Sequence, residues 1–422
     1  VSATVLLVVL LVIGTPIAVA IALAAAAFVS ASPFPFTLIA QRIFEGINSF
    51  EILAIPLFVL AGELMNTSGI TRRIVDFANA WVGHRRSGLA QVNIWSSVIF
   101  SGLSGSAVAD TSALGRVFIP TMEKEGYPRS FAAALVASAS VMGPLIPPSI
   151  PMIIYALIAQ QMSVPAMFLA GIIPGLLLAI ALSVYVRFFT PEYASRHEKA
   201  GYAKRWRALK AGILPLAMPI FVVGSIIGGI ATPTEAAAFA ACYALIVGLF
   251  IFRSLKFSEV FGIFVRSMRD SSVILLIIAA VSLGNWLLTF AQIPQELGAF
   301  VLGNIHQAWL FLLLVNLLLL VVGLFLEGIA ALLVLVPILQ PIAVQMGIDP
   351  LHFSIVVIFN LMIGLTTPPM GLCLFVADSI AGVGIAKLSR AILPMFATEV
   401  VVLFLVTYVP GLVTWLPHAL GY

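Results

Sequence analysis

Charge is what this 422-residue chain has least of. Asp, Glu, Lys and Arg together make up 9% of it, about a third of the share usual in globular proteins. Cysteine is nearly absent too. Cys242 and Cys373 both lie in apolar segments, which argues against a disulfide framework. The five histidines are scattered without metal-ligand spacing. There is no G-x-x-x-x-G-K-[ST] phosphate loop and no polar segment long enough for a nucleotide domain, so an ATP-driven pump would need another subunit. The repeated pore rings or filter sequence of a channel are missing. So are the clustered His or Asp pairs that a membrane-embedded enzyme would place on facing helices. No cleavable signal peptide is expected, because the first apolar stretch is too long and runs into more of the same. The chain starts at Val1, so an initiator Met and a few residues are expected to precede it.

What is present is apolar. Hydrophobic residues make up 62% of the chain, and mean hydropathy is +1.16. Burial grows too slowly with size for a soluble protein of this length to hide so much apolar surface. This excludes a soluble enzyme, a nucleic-acid-binding domain and a disordered chain. An all-α polytopic membrane protein remains. The 32 glycines and 25 prolines fit that class, which tolerates both and needs them where helices break. The net charge of +4 reads as basic cytoplasmic loops, not as a nucleic-acid surface.

The basic residues divide the chain. They cluster at Arg72, Arg73, Arg85 and Arg86; at Lys124 and Arg129; from Arg187 to Lys210; from Arg253 to Arg269; and at Lys387 and Arg390. Between Asp270 and Lys387 there is none. With every cluster on the cytoplasmic side, both ends of residues 88–121 face that side. This predicts a re-entrant hairpin of two half-helices of about 15 residues, each about 22 Å long and too short to span a ~30 Å core. Spans are expected near Phe131–Gln160, Pro165–Phe189, 211–229, 233–252, 271–290, 351–380 and 391–416. The stretch Trp309–Met346, broken at Glu327–Gly328 and without basic flanks, fits a second hairpin opening on the opposite side. The first 65 residues hold one or two spans.

An internal repeat supports this division. Gly143-Pro-Leu-Ile-Pro147-Pro148 follows the first hairpin, and Gly364-Leu-Thr-Thr-Pro368-Pro369 follows the second. Tyr127-Pro128 and Asp349-Pro350 precede them, and Pro174 and Pro394 follow them, at nearly equal distances. With the hairpins opening on opposite faces the repeat is inverted, the layout of secondary transporters.

Four places carry candidate chemistry. In Ser101-Gly-Leu-Ser-Gly-Ser106-Ala-Val-Ala-Asp110-Thr-Ser112, glycines and hydroxyls at a hairpin tip leave backbone groups that hydrocarbon cannot satisfy. Free carbonyls and Ser oxygens suit Na⁺, and the N-terminus of the returning half-helix suits an anion. Small-residue packing is the plainer account of such a run, but Asp110, a carboxylate within the membrane, favours a functional one; the alternative for Asp110 is an N-terminal charge on the second half-helix, oriented by the dipole. At the two Pro-Pro breaks, carbonyls around Gly143–Leu145 and Gly364–Thr366 become available as ligands, beside the Thr366 and Thr367 hydroxyls; a simple proline kink is the alternative. Glu327-Gly328 forms the second tip, where Glu327 is either protonated or beside a bound cation. Thr232-Pro-Thr-Glu235 reads equally as a helix start, with Thr232 as N-cap and Glu235 closing the capping box. Arg116, inside the first hairpin, could pair with Asp110, contact an anionic substrate or snorkel.

Ser101 to Gly115, Gly143-Pro-Leu-Ile-Pro-Pro-Ser149, Ala231-Thr-Pro-Thr-Glu-Ala-Ala-Ala238 and Gly364-Leu-Thr-Thr-Pro-Pro-Met-Gly371 occur in an order and spacing that span nearly the whole chain. In these motifs the chain resembles the large membrane subunit of the tripartite ATP-independent periplasmic (TRAP) transporters. The first motif is highly specific; the Pro-Pro motifs alone are not. The resemblance implies Na⁺-driven uptake of an organic acid, such as a C4-dicarboxylate or sialic acid, across the bacterial inner membrane. It implies a periplasmic substrate-binding protein that delivers the substrate, and a small four-helix membrane subunit, expected here as a separate chain. The fold it implies is elevator-type, with a scaffold domain and a transport domain that carries both hairpins.

Scaffold spans and interfacial helices are then expected in 1–87, the first transport half in 88–190, a basic loop and scaffold helices in 191–290, the second transport half in 308–385 and a C-terminal span in 386–422. The resemblance places one Na⁺ site at Ser104, Gly105, Ser106, Gly143 and Pro144, and another at Glu327, Gly328, Gly364, Thr366 and Thr367. Thr232 and Glu235 are further candidates. Substrate contacts are expected from Ser106, Asp110, Thr111, Arg116, Pro147, Thr367 and Pro368. Half-helix N-termini from both hairpins would offer an anion fixed positive dipole, and bound Na⁺ would add charge. A binding-protein-independent Na⁺/anion symporter is the alternative reading, and a passive channel a more distant one.

Overall fold

A computed structural model describes residues 5–7, 9–10, 13–159, 162–189 and 201–422. Gln160, the middle of the basic loop at 190–200 and parts of the N-terminal span lie outside the described residues. Among those described there are helices and connections but no strand. Seven helices are long and apolar enough to cross a membrane.

The N-terminal part supplies α1 (Ile17–Ser30), α2 (Thr37–Ile47), α3 (Ala54–Thr67) and α4 (Ile70–Val82). α2 and α3, joined through a 3₁₀ turn, are bent by 64° and together are long enough for one more span. Later come α10 (Tyr202–Ile227), α11 (Pro233–Ile246, extended by a π-helical turn, Val247–Ile251) and α12 (Phe257–Phe290). α11 packs on α3, α12 on α1, α2 and α3, and α10 on α4. These elements form one packed group.

The rest falls into two matching series. The first is a hairpin, α5 (Gly88–Ser104) and α6 (Ala107–Lys124), followed by α7 (Arg129–Ser140), a break, α8 (Ile150–Ile158) and α9 (Val164–Phe189). The second, after the short α13 (Ile293–Asn304), is a hairpin, α14 (Ala308–Phe325) and α15 (Gly328–Gln345). It is followed by α16 (Pro350–Gly364), a break, α17 (Leu372–Ala381) and α18 (Ile385–Tyr408), with α19 (Gly411–Ala419) closing the chain. The expected last span, 391–416, is thus α18 alone, ended before Pro410. Both Pro-Pro bonds, 147–148 and 368–369, are cis.

The hairpin arms are longer than the spacing suggested. α5 and α6 have 17 and 18 residues, about 26 Å each. α14 and α15 could each cross a membrane by length. What makes both pairs hairpins is that their tips end inside the molecule, in one cavity. The sidedness follows from contacts. Arg129, at the start of α7, bonds Glu123 at 2.7 Å and the carbonyl of Ile380, at the end of α17, at 3.1 Å. The basic end of the first hairpin therefore lies beside the far end of the second series. The second hairpin, which precedes α16, must enter from the other face. The repeat is inverted.

Candidate functional site

The first tip is made by Gly105 and Ser106. Gly105 has φ +62°, and a Cβ there would stand 2.7 Å from the Pro148 carbonyl oxygen. Only glycine allows both the turn and so close an approach to the first break. Ser106 is extended and caps α6, its hydroxyl accepting from Ala109 N at 3.4 Å. At the second tip Leu326 and Glu327 are extended, and the Glu327 carboxylate caps α15 by accepting from Ala330 N at 3.1 Å. The second break lies against α14: a Cβ on Gly364 would stand 2.6 Å from Gly323 Cα.

Between the tips and the first group of helices is a cavity of about 190 Å³, enough for several waters. The tips contribute Ser104, Gly105, Ser106 and Glu327, and the breaks contribute Pro144 and Leu365. The facing wall is Gly62, Glu63 and Asn66 of α3 with Asp270 and Ile274 of α12. Three carboxylates line this space, Glu63 among them paired with Arg266 at 3.2 Å, and among the described residues no lysine or arginine lines it.

Asp110 lies beneath the first tip, fully buried. It accepts a hydrogen bond from the Ser104 hydroxyl. Its Oδ2 has no hydrogen-bond partner, and a Cβ on Gly143 would stand 2.5 Å from that oxygen. Asp110 thus joins the first tip to the first break. Thr111 is buried and donates to Ala107 O at 2.8 Å. Thr366 is fully buried, its hydroxyl 2.9 Å from Ile363 O and 2.7 Å from a Glu399 carboxylate oxygen. Thr367 donates to Ile363 O at 2.9 Å. Pro147 is buried and Pro368 half-buried; neither lines the cavity. Gly328 stands where a Cβ would meet Met362 Cε at 2.6 Å.

Three expectations need correction. Thr232 and Glu235 are not at the cavity. They form the exposed capping box of α11, with Thr232 N donating to Glu235 Oε2 at 2.8 Å and Glu235 N to Thr232 Oγ1 at 3.3 Å. A Thr-Pro-Thr-Glu start satisfies α11's own first-turn donors and needs no ion. Arg116 is exposed on α6 and outside the cavity lining, while Asp110 is fully buried and takes Ser104, so the two do not pair. Neither hairpin offers a bare helix N-terminus: α15 carries the Glu327 carboxylate on that end and α6 carries Asp110 in its first turn.

Glu399 was not anticipated. It is fully buried on α18, accepts from the Ser138 hydroxyl of α7 and meets Thr366 at the second break. One side chain therefore links the two repeats. An isolated carboxylate in the apolar run Ala397-Thr-Glu399-Val-Val-Val was a signal of the kind that singled out Asp110. Glu63 and Asp270 were overlooked in the same way.

The oxygen donors can be counted. Among the described residues no backbone N–H takes the carbonyls of Ser104, Gly105, Gly143, Leu145 or Thr366. Of these residues Ser104 and Gly105 line the cavity; with its hydroxyls and carboxylates, and with no His, Cys or Lys in the lining among the described residues, the donors there are oxygens, the kind a hard cation takes. No group of three or more His, Cys, Asp or Glu side chains converges as a transition-metal site among the described residues.

Residues 4–412 match the family described as the tripartite ATP-independent periplasmic transporter, DctM component. The sialic acid TRAP transporter large permease protein SiaM of Vibrio cholerae serotype O1 is 41% identical over 385 residues, 91% of this chain and 90% of that one. The C4-dicarboxylate TRAP transporter large permease protein DctM of Rhodobacter capsulatus is 37% identical, over 99% of this chain and 98% of that one. The isethionate TRAP transporter permease protein DctMQ of Oleidesulfovibrio alaskensis is 38% identical over 95% of this chain, a match that spans 64% of that longer protein. Among solved structures, the Alcanivorax borkumensis YdaH transporter superposes with a TM-score of 0.62 over 90% of this chain and 89% of that one; at 17% identity this shows the fold alone. The inverted hairpins, the broken helices and these relatives place the chain in the DctM family, the large permease subunits of tripartite ATP-independent periplasmic transporters.

Proposed function

We propose that this subunit imports an organic acid across the bacterial inner membrane, driven by a Na⁺ gradient. The observation that carries the reading is the charge of the cavity. Asp270 and Glu327 line it beside Glu63, which Arg266 pairs at 3.2 Å, and among the described residues no basic side chain lines it. An anion entering alone would be repelled, and the repulsion grows as water is excluded. Bound Na⁺ would reverse that field and order the tips. Ion and substrate would then favour each other, with a coupling typically of about 1–3 kcal/mol. The substrate carboxylate would lie toward the N-terminus of α6, which Ser106 caps with Asp110 buried beneath it, and away from the Glu327 cap of α15.

The Na⁺ ligands we assign are the carbonyls and hydroxyls of Ser104–Ser106 with Gly143 and Leu145, and those of Gly364–Thr366 with Glu327. The compounds named for the relatives, sialic acid, C4-dicarboxylate and isethionate, are anions, which supports the substrate class. A periplasmic binding protein would deliver the acid and a small membrane subunit would brace the scaffold. The cavity lies between the hairpin tips and α3 with α12. Sliding of the two repeats past those helices would carry it from one face to the other, an elevator motion.

The test is uptake of radiolabelled dicarboxylate or sialic acid into proteoliposomes holding this subunit, the small subunit and the binding protein. Uptake should require an inward Na⁺ gradient. Equal uptake with K⁺ in place of Na⁺ would refute the coupling, and uptake by this chain alone would favour the binding-protein-independent symporter.

A further inference from the structure

A second cavity lies away from the transport site, between α5 and α9, with a volume of about 200 Å³. We propose that it binds the phosphate headgroup of an anionic phospholipid from the cytoplasmic leaflet. Arg85 and Arg86 reach it from the turn before α5, and Arg187 from the end of α9, about a hundred residues later. Among the described residues no acidic residue lines it. All three arginines are exposed, and all three line this one recess. Inside it the Ser183 hydroxyl is buried and has no hydrogen-bond partner. The adjacent backbone is fixed, because buried Gln91 donates to Ser183 O at 2.8 Å. An unpaired donor beside three guanidinium groups fits a phosphate with several acceptor oxygens.

The surface below the recess is of the other kind. Leu176, Ile180 and Val184 follow at one-turn spacing along α9 and are 37%, 51% and 46% exposed. From Leu176 to Arg187 the helix rises about 16 Å, roughly half of a ~30 Å hydrocarbon core. A lipid with its phosphate at Arg187 would lay one acyl chain along this stripe to the bilayer centre. Free phosphate would use the recess and leave the stripe unexplained. Half-buried Trp95 lines the cavity and serves as a reporter.

The experiment uses the full chain in nanodiscs, with the Trp95 signal isolated as the difference between wild type and Trp95→Phe. Brominated phosphatidylglycerol should quench that signal at lower mole fraction than brominated phosphatidylcholine. Each arginine should contribute on the order of fivefold in affinity, so Arg187→Gln alone should reduce the preference and R85Q/R86Q/R187Q together should erase it. Excess inorganic phosphate should not relieve the quenching. Equal quenching by the two lipids, a preference that survives the triple variant, or displacement by phosphate would each overturn the proposal. The first and third readings need only wild type and Trp95→Phe, so they hold even if the triple variant does not fold.

Discussion

Asp110 and Glu399 are fully buried carboxylates, one on each side of the pair of broken helices. Asp110 is fastened to Ser104 and lies against Gly143; Glu399 is fastened to Ser138 and Thr366. Each sets the position of backbone whose carbonyls we assign to an ion. An ordinary hydrogen bond contributes about 0.5–1.5 kcal/mol, so the two at Glu399 together contribute about 1–3 kcal/mol, roughly five- to a hundredfold in a binding constant. Glu399→Ala should therefore weaken the apparent Na⁺ affinity of uptake about fivefold or more, while the variant still reaches the membrane. Thr366→Ala and Ser106→Ala should shift Na⁺ dependence in the same direction by a smaller factor. A Na⁺ titration of initial uptake rate reads all three, and unchanged half-saturation in Thr366→Ala and Ser106→Ala would remove these residues from the ion sites.

At the scale of elements, the tips and breaks depend on glycine for shape. Gly105→Ala would meet the Pro148 carbonyl oxygen at 2.7 Å and force a left-handed φ on an L-residue, which costs about 1–2 kcal/mol before the clash is counted. Gly364→Ala would meet Gly323 Cα at 2.6 Å. Both should lower the melting temperature of the detergent-purified protein and abolish uptake. The capping box of α11 gives the opposite contrast. Thr232→Ala removes a cap worth about 1 kcal/mol, so it should lower thermal stability slightly and leave the Na⁺ dependence of uptake unchanged. A large rise in the Na⁺ half-saturation of Thr232→Ala would return that residue to the ion sites.

For the molecule as a whole, the sliding motion we propose would turn on the boundary between α3 with α12 and the two repeats. A Cβ on Gly62 would lie 3.5 Å from Ser104 Cα, ordinary contact. Gly62→Ala should thus transport almost normally. Gly62→Leu would wedge a side chain between α3 and the tip and should reduce the maximal uptake rate several-fold. Thermal melts and Na⁺-dependent uptake separate this from misfolding. Equal activity of Gly62→Leu and wild type would show that the boundary does not have to slide in close contact.

Much of this architecture is written in one dimension. Scarce charge and high hydropathy specify membrane helices because no soluble core could bury them. The basic clusters give sidedness, and two Pro-Pro breaks at matched spacing give the repeat, because proline removes the donors a continuous helix requires. The motifs carry the family resemblance without reference to any contact. Other features depend on residues far apart in the chain. α14 and α15 are long enough to cross, so only the meeting of Glu327 with Ser104–Ser106 in one cavity makes them a re-entrant pair. Thr-Pro-Thr-Glu looks the same as a cap or as a ligand set until its neighbours are seen. Glu399 gains its place from Ser138 and Thr366, 261 and 33 residues away. Local sequence governs backbone conformation and burial preference; which polar groups share a buried space is fixed by packing between distant segments.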